Sequence, residues 1–268
     1  MEMVMKNKKM GISGKVAFLS GATGYLGQEI AEGLACEGAI IYLNGRDEKK
    51  LKKLSDTLNK KGYRSYIAPF DFSDEKEIEN FFTNFKENRL DIIIHGAYAG
   101  GSGTVETASS EEFVRSYNVS TISIQNFTKA ALPYLRKAKK NFGDASVINI
   151  ASMYGVVSAN LNVYKNSNES NPPFYASAKA ALIQWTKYAA CEFAKEGIRF
   201  NCISPGPFPS SDAQKKNKDL MKKLTNKVPM FRLGHPSEMI GPVLFLANPS
   251  SSYVTGINLP VDGGWTAW

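Results

Sequence analysis

At 268 residues, with 43% hydrophobic and 22% charged side chains, the chain is long enough for one large domain and too apolar to be disordered or fibrous. No apolar run reaches the about 20 residues of a membrane span, and the opening MEMVMKNKKM lacks the apolar core of a signal peptide, so the expected location is cytoplasmic, away from a membrane. The net charge of +8 is scattered and mostly flanked by Asp or Glu, which reads as a solvated surface and excludes a nucleic-acid partner.

Residues 1–10 are expected to form a basic tail and 11–268 a single domain. The first β-rich run, KVAFLS (15–20), leads through Ser20-Gly21-Ala22-Thr23-Gly24-Tyr25-Leu26-Gly27 into a helical stretch. Glycines spaced in this way between a strand and a helix let the backbone turn tightly and approach a pyrophosphate at the helix N-terminus. The second run, AIIYLN (39–44), ends in Asn44-Gly45-Arg46, where an NAD-binding fold usually offers an acid to the ribose. A guanidinium suits a 2′-phosphate instead, so NADP(H) is the preferred cofactor and NAD(H) the second choice. Asp47 offers Arg46 a nearby ion-pair partner.

YIAPF (66–70) and DIIIH (91–95) are the third and fourth candidate strands. His95, at the end of an apolar run, is expected to hydrogen-bond locally and support the cofactor loop. SVINIA (146–151), IRFNCIS (198–204) and INLPVD (257–262) complete seven strands, most of them separated by helix-forming segments. Strands nearly continuous in apolar residues, alternating with helices, predict a doubly wound Rossmann-type α/β sandwich with helices on both faces. In such a sheet, ligands bind beyond the carboxyl ends of the strands.

Between the fifth and sixth strands FYASAK places Tyr175 and Lys179 one helical turn apart. A cation held near a phenol lowers its pKa and makes it a usable acid–base group. Pro172 and Pro173 mark the start of that helix, where a missing N–H costs little. The Asn- and Ser-rich stretch 153–174 before it reads as a loop shaping a substrate pocket. Tyr164 inside it lacks a lysine four residues on. Cys36, Cys191 and Cys202 show no metal-ligand or disulfide spacing and are read as reduced packing residues, and no metal is expected.

Together these motifs resemble the short-chain dehydrogenase/reductase family, in its short single-domain branch, from Gly11 to the end. Asn118 in SYNVSTISI matches the family's active-site asparagine and Ser152 in INIASMYG its serine, while Tyr175 and Lys179 fill the tyrosine–lysine motif. Asp71-Phe72 resemble the pair that holds adenine, and Asn201 to Pro207 the loop beside the nicotinamide. The resemblance implies an NADP(H)-dependent oxidoreductase that interconverts a carbonyl and an alcohol, with catalytic Asn118, Ser152, Tyr175 and Lys179. Its implied cofactor contacts are Gly21, Thr23, Tyr25, Leu26, Gly27, Arg46, Asp71, Phe72, Ala97, Tyr98, Tyr175, Lys179, Pro205, Gly206 and Phe208.

Within the family pattern Tyr175 exchanges the proton, Lys179 lowers its pKa and binds ribose, Ser152 stabilises the substrate oxygen, and Asn118 holds a water. The closing segment GHPSEMIGPVLFLANPSSSYVTGINLPVDGG is similar to one that usually forms a tetramer interface, implying a homo-tetramer or homo-dimer. Tyr25, and His95-Gly96-Ala97-Tyr98 in place of Asn-Asn-Ala-Gly, depart from the short branch and look more like the longer sugar-nucleotide-modifying branch. That branch carries a large C-terminal domain for which there is no room here. The family's substrate lid falls at 207–232, where residues 211–232 carry seven basic and two acidic side chains. With the insert, this pattern is similar to oxidoreductases of bacterial surface-sugar and flagellin-glycan pathways, and it points to a sugar-type or charged substrate. The competing expectation, prompted by Tyr25 and Tyr98, is a cofactor-binding redox sensor or scaffold without turnover.

Overall fold

Each apolar run becomes a strand with parallel neighbours: β1 (Val16–Ser20), β2 (Ile40–Gly45), β3 (Arg64–Pro69), β4 (Ile92–His95), β5 (Ala145–Ile150), β6 (Ile198–Pro205) and β7 (Asn258–Val261). This computed structural model describes residues 11–98 and 100–268, so the expected tail at 1–10 lies outside the described residues. The seven strands form one sheet in the order β3-β2-β1-β4-β5-β6-β7. Every pairing is parallel, with Leu19 opposite Leu43 on one side of β1 and Ser20 opposite His95 on the other. Strand order reverses between β1 and β4, and a crevice therefore opens above their carboxyl ends.

Alternation along the strands feeds two cores. Leu19, Ile94, Ile148 and Ile203 pack on one face with Leu34 of α1 (Tyr25–Cys36), Leu51 of α2 (Glu48–Lys60) and Leu246 near the chain's end. Phe18, Ile93, Val147 and Phe200 pack on the other with Ile78 of α3 (Glu75–Thr83). There they also meet Phe127 of α5 (Ser123–Phe142) and Leu182 of α6 (Pro173–Phe193). Between α3 and α5 lies the short α4 (Ser110–Tyr117), closed by a capping box in which the Ser109 hydroxyl accepts from the Glu112 N–H. Residues Asn118–Ile122 then form a π turn before α5 begins. After β6 come α7 (Ser211–Lys216) and α8 (Lys218–Lys227), so the expected lid is a helix pair. α9 (Ile240–Ala247) returns the chain to β7.

A third, smaller cluster sits over the carboxyl ends of the sheet. It joins Met153, Tyr154 and Val163 to Leu224 and Val228 of the lid and to Trp265, with Tyr164 and Tyr175 at its edge. The insert is thus tied to the lid by apolar packing. It also contains 3-10 turns at Met153–Gly155, Leu161–Val163 and Ser167–Glu169, each begun by a side-chain cap from Ser152, Asn160 or Asn166. The cysteines depart from the sequence reading: Cys202 is buried, whereas Cys36 and Cys191 are exposed, so only one of the three packs in the core.

Candidate active site

The turn from β1 into α1 has no room for side chains at two of its glycines. A Cβ on Gly27 would lie 2.3 Å from the Gly21 carbonyl oxygen, and one on Gly21, at φ +69°, would lie 2.7 Å from the Gly96 carbonyl oxygen. The helix that follows starts at Gly24, which supplies no side-chain acceptor, and its first turn holds no acid. Its uncapped N–H groups and positive end suit a phosphate group. Tyr25, in place of the usual glycine, is the first helical residue and is partly exposed.

At the end of β2, Asp47 accepts from the Lys50 N–H at 3.0 Å and pairs with the Lys50 ammonium at 3.4 Å. Capping α2 occupies this carboxylate, and the expected Arg46–Asp47 pair does not form. Arg46 lines the same cavity as the glycine turn. So do Asp71, which accepts from the Ser73 N–H and hydroxyl at 2.9 and 2.7 Å, and Phe72, whose ring is buried against Phe18 and Phe127.

That cavity, of about 1060 Å³, runs from the glycine turn to the insert. Ser152, Tyr175 and Lys179 all line it, as do Ala97, Tyr98, Pro205, Gly206 and Phe208. Gly206 is packed so closely on Asp262 that a Cβ would lie 2.6 Å from the Asp262 Cα. Asn118 is not among the lining residues. It ends α4, its side-chain amide donates to the Ser73 carbonyl at 3.4 Å, and its own carbonyl accepts from the Ser123 hydroxyl at 2.8 Å.

Tyr175 and Lys179 face the same volume, with the ammonium 5.9 Å from the phenol ring centroid. Lys179 is buried and donates to the Ile150 carbonyl at 2.7 Å. Burial lowers its pKa to about 8. The expected lowering of the Tyr175 pKa by Lys179 does not govern the phenol here. Burial pushes Tyr175 up to about 12, the Ser152 hydroxyl pulls it down, and Tyr98 adds to the rise. Ser152 itself accepts from the Tyr154 N–H at 3.1 Å, and so also begins the first turn of the insert.

His95 also differs from expectation. Neither ring nitrogen finds a hydrogen-bond partner among the described residues. The ring is clamped between Phe72 and Phe127 at centroid distances of 5.4 and 5.5 Å, and burial drives its pKa down to about 3. It is a neutral packing group; the cofactor turn is supported instead by Ser20, whose hydroxyl accepts from the Gly96 and Ala97 N–H groups.

Sequence reasoning passed over Met153, Tyr154, Tyr164, Asn171, Arg115 and Leu224, all of which line the cavity. Tyr164 has no lysine, yet its hydroxyl meets that of Tyr154 at 3.2 Å. Its place in an insert just ahead of the Tyr175 helix was the available signal. From the basic lid, Leu224 lines the cavity while its lysines do not; Lys222 is exposed and Lys223 pairs with Asp219 at 3.7 Å. α8 is amphipathic and presents Leu224, not its lysines, to the cavity.

A parallel sheet with a glycine turn at its switch point, beside a buried tyrosine–lysine pair and a serine, defines a Rossmann-type oxidoreductase. A family profile described as enoyl-(acyl carrier protein) reductase matches residues 21–266. The chain belongs to the short-chain dehydrogenase/reductase family. It is 31% identical over 266 residues to the oxidoreductase UcpA of Salmonella typhimurium, covering 95% of each chain. It is 30% identical over 257 residues to 2,5-dichloro-2,5-cyclohexadiene-1,4-diol dehydrogenase LinX of Sphingobium indicum, covering 95% of this chain and 97% of the relative. Among solved structures, a short chain dehydrogenase of Leptospira borgpetersenii with bound NAD+ superposes with a TM-score of 0.84 at 29% identity, covering 99% of this chain and 98% of that one. Pseudomonas aeruginosa RhlG, in an NADP active-site complex, superposes with a TM-score of 0.86 at 26% identity, covering 97% and 99%.

Proposed function

We propose that the protein interconverts a carbonyl and an alcohol by hydride transfer, with Tyr175 as the proton-exchanging group and NADP(H) as the preferred cofactor. The observation that carries this reading is the convergence of Ser152, Tyr175 and Lys179 on the cavity that begins at the Gly21–Gly27 turn. The nicotinamide, when bound, supplies or accepts the hydride. The chain's own part is to hold that cofactor, place the carbonyl and move one proton.

Gly21, Thr23, Tyr25, Leu26 and Gly27 would hold the pyrophosphate, and Arg46, unclaimed by Asp47, the adenosine 2′-phosphate; NAD(H) is the second choice. Asp71 and Phe72 would flank the adenosine half, with Ala97 and Tyr98 further along toward Tyr175 and Pro205, Gly206 and Phe208 at the other end. Lys179, whose one acceptor among the described residues is the Ile150 carbonyl, has further N–H donors for a ribose. Ser152 would hydrogen-bond the substrate oxygen as charge develops on it, in the manner of an oxyanion hole. Asn118 would hold a water that links Lys179 to solvent. Retention of all four groups speaks against the reading as a sensor or scaffold without turnover.

The substrate we propose is a small sugar-type or otherwise hydroxylated carbonyl compound, handled in the cytoplasm by a homo-tetramer or homo-dimer. The hydroxyls of Tyr154 and Tyr164 and the amide of Asn171 on the cavity wall support this choice, and the outward lysines of the lid count against a dependence on substrate charge. A screen of carbonyl compounds followed by NADPH and NADH absorbance tests the whole reading. Tyr175→Phe should lose turnover by at least about 100-fold while still binding cofactor. Full activity in Tyr175→Phe would sink the assignment.

A further inference from the structure

After β4 the Tyr98 side chain lies beside Gly100. A Cβ on Gly100 would lie 2.7 Å from the Tyr98 phenol oxygen and 2.9 Å from its Cε1, so the ring lies directly over position 100. A Cβ on Gly101 would lie 2.7 Å from the Cζ of Phe174, so the chain at 101 rests on the residue preceding Tyr175. From this seat the Tyr98 ring meets the Tyr175 ring edge-on, with centroids 5.1 Å apart and planes at 80°. Arg115 of α4 donates to the Gly100 carbonyl at 3.1 Å.

We propose that Tyr98 is a positioning residue: its ring fixes the orientation of the Tyr175 phenol and keeps water from one side of it. The proposal rests on Tyr175 being the proton-exchanging group. Edge-to-face packing of this kind favours one ring geometry, and a phenol shielded from water resists ionisation. The other ionisable neighbours of Tyr175 are Lys179 on its own helix, Tyr154 after β5, and Tyr164 in the insert, whose hydroxyl meets that of Tyr154. Among the described residues Tyr98 is the one aromatic side chain stacked on it. Tyr98 is 53% exposed, so removing its ring leaves no hole in the core.

Tyrosinate absorbance during alkaline titration tests this without a substrate. Subtracting the curve of Tyr175→Phe isolates Tyr175 in the wild type, and the same subtraction applies in Tyr98→Ala and Tyr98→Phe backgrounds. The Ala variant should lower the Tyr175 midpoint by about one pH unit, and the Phe variant should leave it within a few tenths. An unchanged midpoint in the Ala variant, or an equal drop in both, overturns the proposal. Should Tyr98→Ala fail to fold, Tyr98→Leu takes its place with the same expected drop. If Tyr175→Phe keeps full turnover in the carbonyl screen, the hydride-transfer reading falls while the titration still decides what Tyr98 does to the phenol.

Discussion

Lys179 sits where an ammonium is poorly accommodated, buried on α6 with a carbonyl as its one acceptor among the described residues. Desolvation of the charged form lowers its pKa to about 8 from an ordinary 10.5. Below about pH 8 the group is charged in both folded and unfolded chains, and the full burial penalty weighs on folding. Between the two values the unfolded chain binds more protons than the folded one, so stability should rise with pH, and above 10.5 the penalty is gone. Lys179→Met should therefore raise the melting temperature of the cofactor-free protein at neutral pH, with the gain fading between about pH 8 and 10.5, while turnover is lost. A lower melting temperature at neutral pH would show that the bond to Ile150 outweighs the burial cost. Strain of this sort is what a functional group imposes on a fold that would be more stable without it.

The elements over the site divide into those that were legible in the sequence and those that were not. Seven strands, the glycine turn and the prolines opening α6 follow from local chemistry: apolar runs, backbone clearance and missing N–H groups. The direction of the lid's lysines does not, because a helix's charge is visible in its composition while its inward face is set by what packs beneath it. Here Leu224 and Val228 are drawn onto Met153, Tyr154 and Trp265, partners far away in sequence, and that rotation turns Lys222 outward. For the same reason Tyr164 looked idle until the insert was seen folded against Tyr154. His95 misled through its residue type, since its surroundings are aromatic and its ring nitrogens have no partner among the described residues. The lid makes its own prediction. Lys222→Glu combined with Lys223→Glu should leave kcat/KM for neutral carbonyls within about twofold, since exposed charges are screened by salt and water. Leu224→Asp should lower it sharply by placing a charge in the small apolar cluster. A large fall in the charge-reversal variant, measured on phosphorylated and neutral substrates side by side, would restore the charged-pocket idea.

Across the whole molecule, chemistry and stability are kept at opposite ends of the sheet. The candidate site lies beyond the carboxyl ends of the strands. At the other end, Asp144, just ahead of β5, meets Lys15 at 2.8 Å and Arg199 of β6 at 3.1 Å. Arg199 also donates to the Ser251 hydroxyl at 2.7 Å and the Asn248 carbonyl at 3.3 Å, fastening the chain that follows α9. Burial alone would raise the Asp144 pKa, but the bonds from Arg199 and Lys15 outweigh it and hold the carboxyl below its ordinary value. A carboxylate with a depressed folded pKa adds stability above its unfolded pKa and loses it as pH falls through the folded one, so the cluster should hold at neutral pH and fail only in acid. Removing the carboxylate leaves two buried cations facing each other without a counter-charge, and one-sided removal of this kind costs about 3–5 kcal/mol. Asp144→Ala should therefore lose that much stability in urea unfolding near neutral pH. Its remaining folded fraction should keep a wild-type KM, because none of Lys15, Asp144 and Arg199 lines the cavity. A loss under about 1 kcal/mol would mean that water reaches the two cations and the cluster ties the strand ends together far less firmly than its geometry implies.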